Sequence, residues 1–194
     1  MELRQAICEH YWVEYGVRVI PEQVLVTSGT SPAFLFMMLA ILEPGDEVIL
    51  SNPHYACYPN FIRTVGGEPI LVRTHPEDGF QYRPEAIKGA LTPRTRGIVI
   101  NSPCNPTGIV MTDKNLRDIA QFGDQYIISD EIYHGLVYRG RARSILEFTD
   151  KAFVINGFSK LFAMTGWRLG YVIFPKEFAT VMQRIHQNFA ISAN

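Results

Sequence analysis

Apolar and polar positions alternate along the chain between short β-rich runs and longer helical stretches. Residues 2–15 predict a helix stopped by Gly16. Val24–Thr27 predicts a short strand, and Pro32–Leu42 an apolar helix that ends before Pro44-Gly45. Glu47–Leu50 reads as a strand, Tyr55–Val65 as a helix closed by Gly66-Gly67, and Glu68–Val72 as another strand. Helices at Pro84–Leu91 and Asp113–Phe122 flank a strand at Gly97–Asn101. Further strands lie at Tyr126–Ser129, Phe153–Asn156 and Gly170–Phe174, and then a helix at Lys176–Asn188. Runs such as Gly97-Ile98-Val99-Ile100 and Tyr126-Ile127-Ile128 are apolar without alternation, which implies burial on both faces of a sheet. Strands alternating with helices therefore predict an α/β fold, a mainly parallel sheet sandwiched by helices.

Composition narrows the class. A chain of 194 residues with 47% hydrophobic and 19% charged residues can bury one sizeable core, which excludes a disordered chain. A net charge of −1 supplies no field for nucleic acid or an anionic membrane, so neither is an expected partner. The longest apolar run, Ala33–Leu42, is ten residues and too short to span a bilayer. Met1-Glu2-Leu3-Arg4 lacks the layout of a secretory signal. Cys8, Cys57 and Cys104 are odd in number and widely spaced, with no Cys-x-x-Cys pair, as in a reducing compartment. A soluble cytoplasmic protein without a bound metal is the expectation.

In parallel α/β sheets ligands collect beyond the carboxyl ends of the strands, so the polar residues there carry the candidate chemistry. Ser28-Gly29-Thr30-Ser31-Pro32 joins a strand to a helix and offers free N–H groups and two hydroxyls to an anion; a plain helix cap is the alternative. Gly29-Thr30-Ser31-Pro32-Ala33 also approaches a hydrolase nucleophile elbow, but its last glycine is alanine. Asn101 to Gly108 is a proline-stiffened loop that holds Asn105, or else a structural turn. Asp130 at a buried strand end needs a cationic or hydrogen-bonding partner, unless it caps a helix. Lys160, after Ser159, is expected at a buried strand end, where a lowered pKa suits Schiff-base chemistry. Arg168, between Gly166-Trp167 and Gly170, suits bidentate phosphate binding. A surface lysine and a structural arginine are the alternatives for these two. Together with the aromatic Tyr55 and a phenol–amide pair, Tyr133 and Asn105, the set matches the parts of pyridoxal 5'-phosphate.

Three segments occur in one order: Asn-Ser-Pro-Cys-Asn-Pro-Thr-Gly at 101–108, Ser-Asp-Glu-Ile-Tyr at 129–133, and Gly-Phe-Ser-Lys-Leu-Phe-Ala-Met-Thr-Gly-Trp-Arg-Leu-Gly at 157–170. With these the chain, from about Val24 onward, resembles the class I/II aminotransferases, the aspartate aminotransferase-like pyridoxal-phosphate enzymes of fold type I. The resemblance implies that Lys160 is the Schiff-base lysine and later moves the substrate proton. It implies that Asp130 pairs with the ring nitrogen, that Tyr133 and Asn105 bond the phenolic oxygen, and that Tyr55 stacks on the ring. Arg168 with Gly29, Thr30 and Ser31 would hold the phosphate. Many relatives place a phosphate-binding serine where this chain has Gly157, and Ser159 is the candidate substitute. The resemblance also implies amino acid and 2-oxo acid substrates and a homodimer. Tyr11, Trp12 and Tyr15 on the first helix suit either a partner or the chain's own core. Residues 1–194 are expected to form the large cofactor-binding domain, without the family's N-terminal segment and small C-terminal domain, because Ile191-Ser192-Ala193-Asn194 falls where relatives cross towards that domain. A same-fold carbon–sulfur lyase, a cofactor-binding fragment without catalysis and a hydrolase using Ser31 are the competing readings.

Overall fold

The computed structural model describes residues 2–193, so Met1 and Asn194 lie outside the described residues. The chain runs through α1 (Glu2–Tyr15), β1 (Val24–Thr27), α2 (Thr30–Ile41), β2 (Glu47–Asn52), α3 (Tyr58–Thr64), β3 (Glu68–Arg73) and α4 (Pro84–Ala90). It continues through β4 (Thr95–Asn101), α5 (Asp113–Ile119), β5 (Tyr126–Asp130), β6 (Ala152–Gly157), β7 (Gly170–Ile173) and α6 (Ala179–Phe189).

Seven strands form one sheet in the order β1-β7-β6-β5-β4-β2-β3. Pairing is parallel from β3 through β2, β4 and β5 to β6. β7 pairs antiparallel with both β6 and β1 and so runs against the others. The connection from β6 to β7 holds a 3₁₀ turn at Thr165–Trp167 but no α-helix, so the chain returns beside β6 instead of crossing over. The sheet is buried on both faces, as the apolar runs predict. Ile98 and Ile100 of β4 join Tyr11 of α1, Ile87 of α4 and Leu116 of α5 in one core. Val99 between them joins Phe34 and Met37 of α2, Ile62 of α3 and Met182 of α6 in the other. A period of two within a continuously apolar strand feeds both layers.

Element boundaries differ from the sequence pattern in places that matter. α2 begins at Thr30, ahead of Pro32, so Thr30 and Ser31 belong to its first turn. The helix expected from Tyr55 begins only at Tyr58, with Pro59 in the first turn, where a missing N–H costs nothing. α5 stops at Ile119, and a 3₁₀ turn at Lys176–Phe178 precedes α6. On α1, Tyr11 is fully buried and meets Tyr171 edge-on at 6.4 Å, and Tyr15 is part-buried, so both join the chain's own core. Trp12 is exposed, with the Arg18 guanidinium 5.0 Å above its ring. Among the described residues, no helix is long and apolar enough to cross a membrane.

Candidate functional site

The site is built where three glycines bring backbones together. Thr27, Gly170 and Gly157 lie side by side across β1, β7 and β6. A Cβ on Gly170 would stand 2.8 Å from the Gly29 carbonyl carbon and 3.0 Å from Thr30 N. A Cβ on Gly157 would stand 3.0 Å from Gly170 Cα and from the Leu169 oxygen. These approaches set the N-terminus of α2 directly over the start of β7. The turn into α2 is held by Thr27 Oγ1, which donates to the Gly29 carbonyl at 2.7 Å, and Gly29 takes a φ of 95°. The Arg168 guanidinium lies against Gly29; a Cβ there would stand 2.7 Å from Nη2. Arg168 itself is left-handed at φ 53°, and Nη1 donates to the Thr165 carbonyl at 3.2 Å. No carboxylate pairs with this arginine among the described residues. The open end of α2 and an unpaired guanidinium therefore face the same space, which favours an anion there.

Asp130 ends β5 and is buried. Its Oδ2 accepts from the Tyr58 hydroxyl at 2.6 Å, and its Oδ1 from the Ile132 N–H at 3.1 Å. Burial pushes the carboxyl up from its ordinary value, and the Tyr58 and Ile132 hydrogen bonds pull it back. Tyr58 is pushed far up, by burial first and then by the Asp130 charge. Among the described residues no lysine or arginine pairs with Asp130. Asn101, at the end of β4, donates from Nδ2 to the Asp130 carbonyl at 2.9 Å and accepts the Asn105 N–H at 2.6 Å. That pair aims the Asn105 side chain, whose Nδ2 reaches the Tyr133 hydroxyl at 3.5 Å. Lys160 Nζ stands 5.8 Å from the centre of the Tyr133 ring.

These groups surround one cavity of about 210 Å³. Of the residues predicted from sequence, Thr30, Ser31, Tyr55, Asn105 and Asp130 line it, as do Tyr133, Ser159, Lys160 and Arg168. Gly29 lies behind them, under Arg168. One expectation needs correction: Lys160 is exposed, not buried. The chain runs past the end of β6 into an open turn before reaching it, so strand-end burial does not apply. Gly157 lines a different cavity, on the α1 side, and a Cβ there would press on the Gly170 and Leu169 backbone. Ser31 has no side-chain hydrogen bond to a base among the described residues, so nothing there activates a serine nucleophile.

Four further residues that the sequence reading does not assign to the site, Tyr58, Asn101, Ile132 and Thr165, also line the cavity. The pattern puts Tyr58 inside a helix that in fact begins with it; the Pro59 after it is the signal for a first turn. Asn101 opens the proline-stiffened loop, and a strand-end Asn four residues before Asn105 suits an Asx-type bond to the loop backbone.

A family model described as aminotransferase class I and II matches residues 1–194. The (5-formylfuran-3-yl)methyl phosphate transaminase of Methanocaldococcus jannaschii is 43% identical over 196 residues, covering 100% of this chain and 50% of that protein. The aspartate/prephenate aminotransferase of Thermus thermophilus is 43% identical over 188 residues, covering 95% of this chain and 49% of that protein. A solved aspartate aminotransferase from Thermus thermophilus with maleate superposes with a TM-score of 0.97 at 41% identity, covering 100% of this chain and 52% of that one. An aromatic aminotransferase from Pyrococcus horikoshii superposes with a TM-score of 0.94 at 38% identity, covering 98% and 53%. The chain spans about half the length of the curated relatives it matches.

Proposed function

From the premise that this chain belongs to the class I and II aminotransferase family, we propose that residues 1–194 are the pyridoxal-phosphate-binding large domain of an enzyme that moves an amino group from an amino acid to a 2-oxo acid. The observation that carries this reading is Asp130. It is a buried carboxylate on a cavity wall, met by a phenol and an amide but, among the described residues, by no lysine or arginine. Such a group calls for a cationic ligand atom, and a protonated ring nitrogen supplies one. On the same cavity Arg168 and the α2 N-terminus suit a phosphate, and Lys160 offers an amine. The donor set therefore fits pyridoxal phosphate group by group.

When bound, that cofactor supplies a conjugated ring that accepts the electron pair released at the substrate Cα. The protein's residues do the rest. Asp130, anchored by Tyr58, holds the ring nitrogen in its protonated state. Tyr133 and Asn105 would hydrogen-bond the phenolic oxygen, and Tyr55 would supply an aromatic side chain to the ring. Arg168, Thr30, Ser31 and the backbone at Gly29 hold the phosphate, with Ser159 as a further hydroxyl donor. Lys160 would hold the cofactor through its amine and would move the proton at the substrate Cα. Its exposed position leaves the amine free to swing between these tasks. The reading extends to a cytoplasmic homodimer. The exposed apolar residues Phe162 and Trp167, 56% and 67% accessible beside the site, support a partner surface there.

The test is spectroscopic and chemical. Added pyridoxal phosphate should give a visible band, and borohydride should trap it on Lys160. Lys160→Ala should abolish trapping. Amino acid with 2-oxo acid should then exchange amino groups. Release of pyruvate and ammonia would instead indicate a carbon–sulfur lyase, and a band indifferent to every amino acid a non-catalytic domain. Trapping on a different lysine would overturn the site.

A further inference from the structure

Two consecutive carboxylates end β5 and enter its following turn, and the chemistry above uses only the first. Successive residues of extended chain point to opposite sides, and Glu131 turns away from the cavity into the core beneath α1. It is 1% exposed. Among the described residues it has no lysine or arginine partner; the nearby Arg141 and Arg143 pair with Glu147 instead. Neutral donors meet its oxygens. Oε1 accepts from Ser129 Oγ at 3.0 Å, Ser144 Oγ at 3.1 Å and the Ile145 N–H at 3.0 Å. Oε2 accepts from the Tyr11 hydroxyl at 3.4 Å and stands 3.5 Å from His134 Nδ1, which shares a hydrogen bond of 2.8 Å with the Tyr15 hydroxyl.

These contacts close a ring. Glu131 and Ser144-Ile145 are the two ends of the excursion that leaves β5 and returns towards β6. Ile132 and Tyr133, its first residues, line the cofactor cavity. Farther out the excursion is open, with Leu136 and Tyr138 exposed. Its position is therefore set at its base, and the base is gathered on one carboxylate. Tyr11 and Tyr15 extend the tie to α1, far from the cavity in sequence.

We propose that Glu131 is a positioning residue, clamping both ends of the 132–143 excursion to α1 and so setting the Tyr133 hydroxyl against Asn105. The role of Tyr133 rests on the aminotransferase reading; the clamp does not, and it can be measured without cofactor. Glu131→Leu keeps the volume and removes every acceptor, whereas Glu131→Gln keeps the Oε1 acceptor for its three donors. Hydrogen exchange on the full chain without cofactor should be faster by about tenfold or more over residues 134–145 in the Leu variant. It should be near normal there in the Gln variant, and unchanged over β2 and β3 in both. Added pyridoxal phosphate then gives the second readout. The pH midpoint of its visible band should shift in Glu131→Leu, not in Glu131→Gln, and the shift should vanish in a Tyr133→Phe background. If Glu131→Leu fails to fold, Ser129→Ala, which removes one donor to Glu131, should show the same localised exchange. Unchanged exchange over 134–145, equal loss of protection everywhere, or a band shift that survives Tyr133→Phe would overturn the proposal. Absence of any visible band in the unmodified protein would overturn the cofactor reading while leaving the exchange result to decide the clamp.

Discussion

Tyr58→Phe removes one oxygen and isolates the bond on which Asp130 depends. The Tyr58 ring stacks on Phe34 at 5.0 Å and 16°, an arrangement phenylalanine keeps, so the substitution opens no large cavity. What is lost is a hydrogen bond of 2.6 Å to a buried carboxylate. Hydrogen bonds to charged groups contribute about 1.5–3 kcal/mol, so unfolding at neutral pH should become easier by about 2 kcal/mol. For a domain of this size that corresponds to a fall in Tm of about 4–8 °C. The pH dependence has a definite sign. Burial raises the folded pKa of Asp130 above its unfolded value, and Tyr58 opposes that rise. The Tyr58 contribution is therefore present while Asp130 is ionised and is lost as pH falls through the folded pKa. Urea unfolding of both proteins across the acid range should show the difference shrinking on acidification. The variant should also bind pyridoxal phosphate more weakly, because Asp130 surrenders its charge more readily. A stability difference below about 0.5 kcal/mol at neutral pH, or one independent of pH, would refute the ionised, Tyr58-anchored Asp130.

Gly170→Ala should destabilise by about 1–3 kcal/mol and weaken phosphate binding, because its Cβ meets backbone atoms of Gly29 and Thr30 at 2.8 and 3.0 Å. Gly166→Ala, with nothing within 4 Å, is the control and should be nearly neutral in the same urea titration. Burial holds Glu131 up at about 7 from an ordinary 4.5, so the stability it confers is present below about 4.5 and lost as pH rises through 7. Burial holds His134 down at about 4 from 6.5, so its contribution is present above 6.5 and lost as pH falls through 4. The two slopes oppose each other between 4.5 and 6.5, and a net fall, smaller than about 1 kcal/mol, should appear only from there to pH 8. Glu131→Gln should abolish that fall in urea midpoints; its persistence would show that another group titrates.

Local signals in the sequence are strong wherever function depends on the residues just beyond a strand. Continuous apolar runs mark a two-faced sheet, and the polar segments after them contain nine of the residues that line the cavity. Strand ends converge by construction in a parallel sheet, so short-range pattern is enough to gather Thr30, Asn105, Asp130 and Lys160 at one edge. Contacts between distant segments lie beyond the reach of pattern. Tyr58 and Asp130 are 72 residues apart, and nothing in a helical stretch marks which tyrosine will point at a carboxylate. The exposure of Lys160 depends on the path of a turn, not on the strand before it. Glu131 reads as a neighbour of Asp130, but alternation along extended chain sends it to the opposite side, towards Tyr11, 120 residues away. Likewise Gly157 and Gly170 read as separate turn residues until β1, β7 and β6 come together and crowd the space that a Cβ would take. The sequence by itself determined the layered α/β sheet and the chemical types at its ligand-binding edge, because propensity and hydrophobic period act over a few residues. Only the tertiary structure decided which of those groups are buried, paired and close-packed, because burial and pairing are properties of segments that meet only after the chain has folded.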